Sequence, residues 1–289
     1  MKEILVISGK GGAGKTSVAA AISFFLNNKD IIADCDVDAA DMHILLAPDY
    51  KEKNDFFSGK ECKVISQKCS GCGICEENCH YNAIKTVDGK AVIDELECEH
   101  CLLCYRLCPE NAVEINEMHC GEYFISNTRI GKKLVHAKLF SGADNSGKLV
   151  STVRSEARKL AQKQNSDIIL IDGPPGIGCP VIASITGITY AILVTEPSVS
   201  GYSDLIRVLE IVKHFNVKSG CIINKSTVNL EIKNKIETFC SENGVSVLGE
   251  IPYNKKFYTA LTEKKSIVET DEKIKANFQK IWDKVLKKI

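Results

Sequence analysis

The sequence lacks a surplus of charge of either sign: 37 Lys and Arg face 37 Asp and Glu, so the formal net charge is zero. Recognition of nucleic acid through its phosphates needs a basic excess, so no nucleic-acid partner is expected. Long apolar runs are missing too, and no stretch approaches the roughly 20 residues that cross a bilayer. No leader pattern precedes the first apolar run, which points to a cytoplasmic protein. What the chain has in excess is cysteine, 14 in 289 residues. Without an export signal, that count argues against a disulfide scaffold and for metal. The length suits one α/β domain with a small second one.

The first organised stretch runs from Gly9 to Thr16 and reads G-x-x-x-x-G-K-T. Ile4-Leu5-Val6-Ile7 ahead of it has the branching of a buried strand. Val18, Ala19, Ile22 and Leu26 behind it recur at helical spacing. Strand, glycine loop and helix in this order make a phosphate-binding loop. The glycines let several backbone N–H groups face one anion, and the helix adds the positive end of its dipole. Lys15 can neutralise the β- and γ-phosphates, and the Thr16 hydroxyl can ligate Mg²⁺.

The string Lys10-Gly11-Gly12-Ala13-Gly14-Lys15-Thr16 resembles the deviant Walker A loop of the MinD/ParA/Mrp ATPases and the nitrogenase iron protein. The resemblance implies an ATPase that forms a homodimer with Mg·ATP, with Gly11, Gly12, Ala13, Gly14, Lys15, Thr16 and Ser17 around the phosphates. It makes Lys10 and Lys15 catalytic, Lys10 reaching across the dimer like an arginine finger. Read alone, Lys10 is also a solvated loop lysine. The strand Ile31-Ile32-Ala33 ends in Asp34-Cys35-Asp36-Val37-Asp38, and acids at such a strand end lie on the ligand side of an open sheet. In the resemblance Asp36 positions the attacking water and Asp34 belongs to the outer shell of the magnesium; the plainer alternative is a turn rich in capping acids. The strand 167–172 and Gly173-Pro174-Pro175-Gly176 match the Walker B and second switch, which gives Asp172 to the Mg²⁺ shell. Asn224 and Pro252-Tyr253, each after a strand, match positions beside the adenine, or are turn formers.

Between these parts the pattern changes. Residues 51–60 are rich in Lys, Glu, Asn, Ser and Gly and read as a linker. Then Cys69-x-x-Cys72-x-x-Cys75-x-x-x-Cys79 recurs as Cys98-x-x-Cys101-x-x-Cys104-x-x-x-Cys108-Pro109. Each half resembles a bacterial ferredoxin motif, in which the fourth cysteine ligates the other cluster. The resemblance therefore implies two [4Fe–4S] clusters, one on Cys69, Cys72, Cys75 and Cys108, the other on Cys98, Cys101, Cys104 and Cys79. His80 stands where the pattern has proline. Two structural zinc sites are the alternative, though zinc gives no reason for the Cys-Pro tail or the cross-over.

Downstream, Phe124-Ile125 and Leu134-Val135 with Leu139 suggest a hairpin, residues 144–147 a turn, and residues 149–164 a helix. Further strands are expected at 190–194, 221–223 and 245–251, with helices at about 202–215 and one closing at Gly244. Cys179 follows Asp172 by the offset of a cluster cysteine in the nitrogenase iron protein, but neither it nor Cys120 completes that pattern. A small buried cysteine at a helix start is the preferred reading of Cys179. In residues 271–289, Ile274, Phe278, Ile281, Trp282, Val285 and Ile289 share one helical face. MinD binds membrane with such a helix; packing on the chain's own sheet is favoured here.

The expected fold is a doubly wound, mostly parallel α/β P-loop sheet over residues 1–60 and 119–289, with an inserted α+β ferredoxin-like module at 61–118. The expected function is ATP-gated electron transfer through two [4Fe–4S] clusters to an unidentified redox partner. A metal-cofactor assembly ATPase with its own partner protein is one alternative. A MinD-like positioning ATPase with clusters as sensors is the other.

Overall fold

The apolar run before the glycine loop is β1 (Lys2–Ser8), with Ile4, Leu5, Val6 and Ile7 fully buried. Such a run needs a sheet covered on both faces. The computed structural model describes residues 1–140, 142–143 and 146–289. From β1 the chain runs through α1 (Lys15–Ser23), β2 (Ile31–Asp34), α2 (Met42–Leu46) and β3 (Glu52–Val64). There follow α3 (Ile74–Glu77), β4 (Ile84–Val87), β5 (Lys90–Ile93), α4 (Leu103–Leu107), β6 (Val113–Asn127) and β7 (Lys133–Leu139). Helices and strands then alternate: α5 (Ser146–Lys163), β8 (Ile168–Pro175), α6 (Cys179–Ile185), β9 (Tyr190–Thr195), α7 (Val199–His214), β10 (Lys218–Asn224), α8 (Leu230–Glu242) and β11 (Ser246–Ile251). Three helices close the chain: α9 (Lys256–Thr262), α10 (Ile267–Thr270) and α11 (Glu272–Leu286).

Among the described residues one sheet has the order β11-β10-β9-β1-β8-β2-β7-β6-β3. β1 pairs in parallel with β8 and β9, β10 with β9 and β11, and β2 with β7 and β8. The chain thus has the mostly parallel α/β architecture of a P-loop fold. The loops after β1, β2 and β8 open at the carboxyl ends of adjacent strands, where such sheets bind ligands.

The chain divides into two compact units, residues 1–54, 122–139 and 146–289 in one, and 55–121 with 140–145 in the other; β3 and β6 contribute to both. In the first unit α11 packs on β11 and α1. Ile274, Phe278, Ile281, Trp282 and Val285 are buried there, so the apolar face of the tail is spent on its own core. A Cβ on Gly249 of β11 would lie 2.5 Å from Ile281 Cγ1, so only glycine allows this close approach. Among the described residues no helix is long and apolar enough to cross a membrane. The second unit holds the antiparallel β4–β5 hairpin and all eight motif cysteines. Its helices α3 and α4 each follow a left-handed residue at the same place in the repeat, Gly73 (φ 78) and Leu102 (φ 63).

Several elements differ from the sequence reading. Residues 51–60 are no linker: from Glu52 they belong to β3, at the end of the sheet order. Its alternation buries Phe56, Ser58 and Cys62, and its charged residues are the kind that protect a sheet edge. Helix α7 begins earlier than expected because the Ser198 hydroxyl caps it, accepting from Gly201 N–H at 3.0 Å. Ser146 and Gly147 open α5 rather than close a turn, and Asp144 and Asn145 lie outside the described residues. The hairpin is present: β6 and β7 are neighbours joined by residues 128–132, with Thr128 N–H donating to Lys132 O at 2.9 Å. Cys179 does start α6, but it is exposed rather than buried.

Candidate functional site

The glycine loop ends at Gly14, whose φ of 88° is the left-handed conformation glycine adopts without strain. A Cβ there would lie 2.2 Å from Asn224 Nδ2. The chain then enters α1, whose first turn takes no side-chain cap, so its amides stay available to an anion. Gly12, Gly14 and Ser17 line a cleft of about 700 Å³ together with Asn224, Lys225, Pro252 and Tyr253. Both candidate base contacts therefore face the same cleft as the loop. Asn224 is tied to the loop itself: Nδ2 donates to Ala13 O at 2.8 Å, and Oδ1 accepts from Lys225 N–H at 2.9 Å.

Beneath the loop four charged groups meet. Lys15 Nζ lies 2.9 Å from Asp172 Oδ1, 3.3 Å from Asp36 Oδ2 and 3.2 Å from Thr16 Oγ1. Asp34 and Asp172 are cross-strand neighbours of β2 and β8, and Asp34 Oδ1 accepts from Asp36 N–H at 3.1 Å. All four charged residues are buried. Burial opposes the Lys15 charge, but the carboxylates of Asp172, Asp36 and Asp34 outweigh it and raise its pKa. Burial, with the charge of Asp172 next, pushes Asp34 well above the ordinary carboxylate range. Burial raises Asp36 as well, against the pull of Lys15. One lysine thus serves three carboxylates, and Asp172 Oδ2, fully buried, has no hydrogen-bond partner. A buried acceptor left in this way calls for a cation or ordered water. Asp172, Asp34 and the Thr16 hydroxyl are oxygen donors of the kind Mg²⁺ prefers, and they fit it.

Lys10 is held elsewhere. Its Nζ lies 2.8 Å from Glu196 Oε1 and 2.8 Å from Ser200 Oγ. Glu196 also holds Lys225 at 2.7 Å, and Lys225 donates to Gly12 O at 3.0 Å. Burial disfavours the Glu196 charge, but hydrogen bonds from both lysines overcome this and lower its pKa. Sequence reasoning missed Glu196. The only signal was an acid directly after β9, on the ligand side of the sheet.

In the second unit two cavities are lined by thiols. One has Cys69, Cys72, Cys75 and Cys108; the other has Cys79, Cys98, Cys101 and Cys104, with Cys62 and Cys75 also on its wall. Backbone N–H groups donate to two of these sulfurs, Ala91 to Cys69 Sγ at 3.4 Å and Ala112 to Cys108 Sγ at 3.3 Å. Such donors stabilise thiolate charge and are common at metal–sulfur sites. Cys62 lies within hydrogen-bond reach of Cys104. The sequence offered no reason to connect them.

Residues 4–267 match the family CbiA, the CobQ/CobB/MinD/ParA nucleotide binding domain. An uncharacterized protein of Methanocaldococcus jannaschii, MJ0578, is 29% identical over 286 residues, 98% of this chain and 96% of that one. A component of an ion-translocating oxidoreductase complex from Methanosarcina acetivorans is 36% identical over 58 residues, 20% of this chain and 22% of that one. Among solved structures, the septum site-determining protein MinD of Pyrococcus horikoshii, complexed with Mg-ADP, superposes with a TM-score of 0.58. The two are 20% identical, and the match covers 98% of this chain and 95% of that one.

Proposed function

Since the chain belongs to the CobQ/CobB/MinD/ParA nucleotide-binding family, we propose that it is an ATP-hydrolysing switch of the ParA/MinD type that carries two [4Fe–4S] clusters. Mg·ATP assembles two copies into a dimer, and hydrolysis separates them. One observation carries the nucleotide half of this reading. Lys15 pairs with two buried carboxylates, Asp172 and Asp36, beside a third, Asp34, and one oxygen of Asp172 stays without a partner. A triphosphate at the loop draws Lys15 away from Asp172 and Asp36 toward the β- and γ-phosphates. Asp172, Asp34 and Thr16 are then free to hold Mg²⁺, directly or through water. Bound there, the ion would offset the charge of the phosphates. Asp36, released by Lys15, orients the attacking water. Lys10 leaves Glu196 and reaches the nucleotide of the partner copy. Trapping of the Asp36→Ala protein as a dimer by Mg·ATP, with no phosphate released, tests this sequence; a monomer under those conditions refutes it.

The cluster half is supported by the two thiol-lined cavities, one with four motif cysteines and the other with five, in each case drawn from both halves of the repeat. Cys69, Cys72, Cys75 and Cys108 would hold one cluster, and Cys98, Cys101, Cys104 and Cys79 the other. When bound, the clusters supply one-electron chemistry. The whole-chain similarity to MinD favours an output of the MinD kind, with a partner protein docking on the nucleotide-bound dimer and the clusters acting as redox sensors. Electron transfer to a partner is the second reading, favoured by the cavities and by the short match to an oxidoreductase component. Anaerobic iron and sulfide analysis, with EPR of the reduced protein with and without Mg·ATP, tests both. Zinc in place of iron removes the clusters. Dimerisation that depends on cluster oxidation state supports sensing, and ATP-dependent electron delivery to an acceptor supports transfer.

A further inference from the structure

The internal repeat contains its own control experiment. Seven residues before the first motif cysteine, the first half has Cys62 and the second half has Ala91. Both side chains are buried, on β3 and β5. Each lines the cavity whose first cysteine belongs to the other half: Ala91 with Cys69, and Cys62 with Cys98. The two positions are therefore equivalent in sequence and in space, yet one presents a methyl group and the other a thiol. That thiol shares its cavity with Cys104, a motif cysteine, and is within hydrogen-bond reach of it. It stands outside the C-x₂-C-x₂-C-x₃-C spacing of either half.

We infer that Cys62 is a positioning residue of the second cluster: its thiol donates a hydrogen bond to the Cys104 sulfur and makes that cluster easier to reduce. The inference rests on the two-cluster reading. A ligating Cys104 is a thiolate and has no proton to give, so the shared hydrogen belongs to Cys62. Reduction adds one electron to the cluster, and part of that negative charge resides on the ligand sulfurs. A donor aimed at one of them stabilises the reduced form, and hydrogen bonds to sulfur are among the terms that set cluster potentials. The first cavity has an alanine at this place, and its sulfurs take hydrogen bonds from the backbone N–H groups of Ala91 and Ala112. The repeat thus supplies two similar cages, one of which carries an additional, substitutable donor.

The test uses the full chain, purified anaerobically, as wild type, Cys62→Ala and Cys62→Ser. Alanine is the residue the repeat itself tolerates at this place, so the variant is expected to fold. Iron and sulfide are measured first, and each protein is then titrated with dithionite while EPR follows both clusters. The expected result is two clusters in all three proteins. In Cys62→Ala one midpoint potential falls and the other is unchanged. In Cys62→Ser, which keeps a donor, most of that fall is recovered. Two clusters with both potentials unmoved in Cys62→Ala overturn the inference. Loss of one cluster in Cys62→Ala also overturns it, because Cys62 would then be a ligand. Wild-type protein without iron overturns the two-cluster reading itself, and the inference with it.

Discussion

Replacing Lys15 with alanine does more than remove a phosphate contact. The side chain is 6% exposed, pairs with two buried acids, Asp172 and Asp36, and its charge acts on a third, Asp34. At an effective dielectric of about 20, unit charges at the 2.9 Å separation of Lys15 and Asp172 attract by about 6 kcal/mol. Desolvation of both groups offsets part of this, and removing one partner of a buried pair typically costs about 3–5 kcal/mol. Lys15→Ala should therefore destabilise the first unit by about 3–5 kcal/mol with no nucleotide added, a large share of ordinary domain stability. The loss should depend on pH. Asp34 and Asp36 already have raised folded pKa values, burial being the main cause, and losing Lys15 raises them further. A carboxyl that binds its proton more tightly folded than unfolded gains stability as pH falls. The deficit should be largest near pH 8 and shrink toward pH 5. Trp282, the one tryptophan, is buried in α11 of the same unit, so its fluorescence during urea unfolding reports the transition. Adding Asp172→Asn to Lys15→Ala should recover much of the loss. A single variant within about 1 kcal/mol of wild type, or a double variant no better than the single, refutes the charge argument.

The Asp36→Ala protein should bind Mg·ATP but lose about 10²-fold or more in turnover, read by phosphate release against nucleotide binding. Glu196→Gln frees Lys10 and Lys225 from a partly exposed pair worth about 1 kcal/mol, so half-maximal dimerisation should need about fivefold less ATP in sedimentation. His136 is buried against Phe124 and Tyr50 with Ser126 Oγ 3.0 Å from Nε2, and burial pushes its pKa down to about 4. Its neutral form is the one that fits, so its contribution is full above pH 6.5 and is lost as pH falls toward 4. The loss amounts to about 3 kcal/mol. Urea midpoints of wild type should fall faster over that range than those of His136→Leu; parallel curves reject the assignment.

The nucleotide loop was legible because its function is local: strand, loop and helix are contiguous, and glycine, lysine and threonine have fixed tasks within one turn. The acids Asp34, Asp36 and Asp172 were legible because they end apolar runs. The grip of Glu196 on Lys10 was not, since 185 residues separate them and neither has a motif around it. β3 was hidden by composition: an edge strand is polar by need, so its Lys and Glu content reads as linker. The eight spaced cysteines announced themselves by repetition. Cys62 did not, because it reaches its cavity from a strand rather than from the motif loop.

The exchange of the fourth thiols has a consequence for how the second unit is made. Cys79 faces the cavity of the later half and Cys108 that of the earlier one. A chain still emerging from the ribosome, or cut anywhere between the halves, has three thiols for one cage and a single thiol for the other. The later cage lacks its full set of thiols until residue 104 is in place and the earlier one until residue 108, so the two are completed within four residues of each other. On the two-cluster reading, premature capture of iron by half a unit is discouraged by connectivity alone, and a single break in the intervening segment disables both cages.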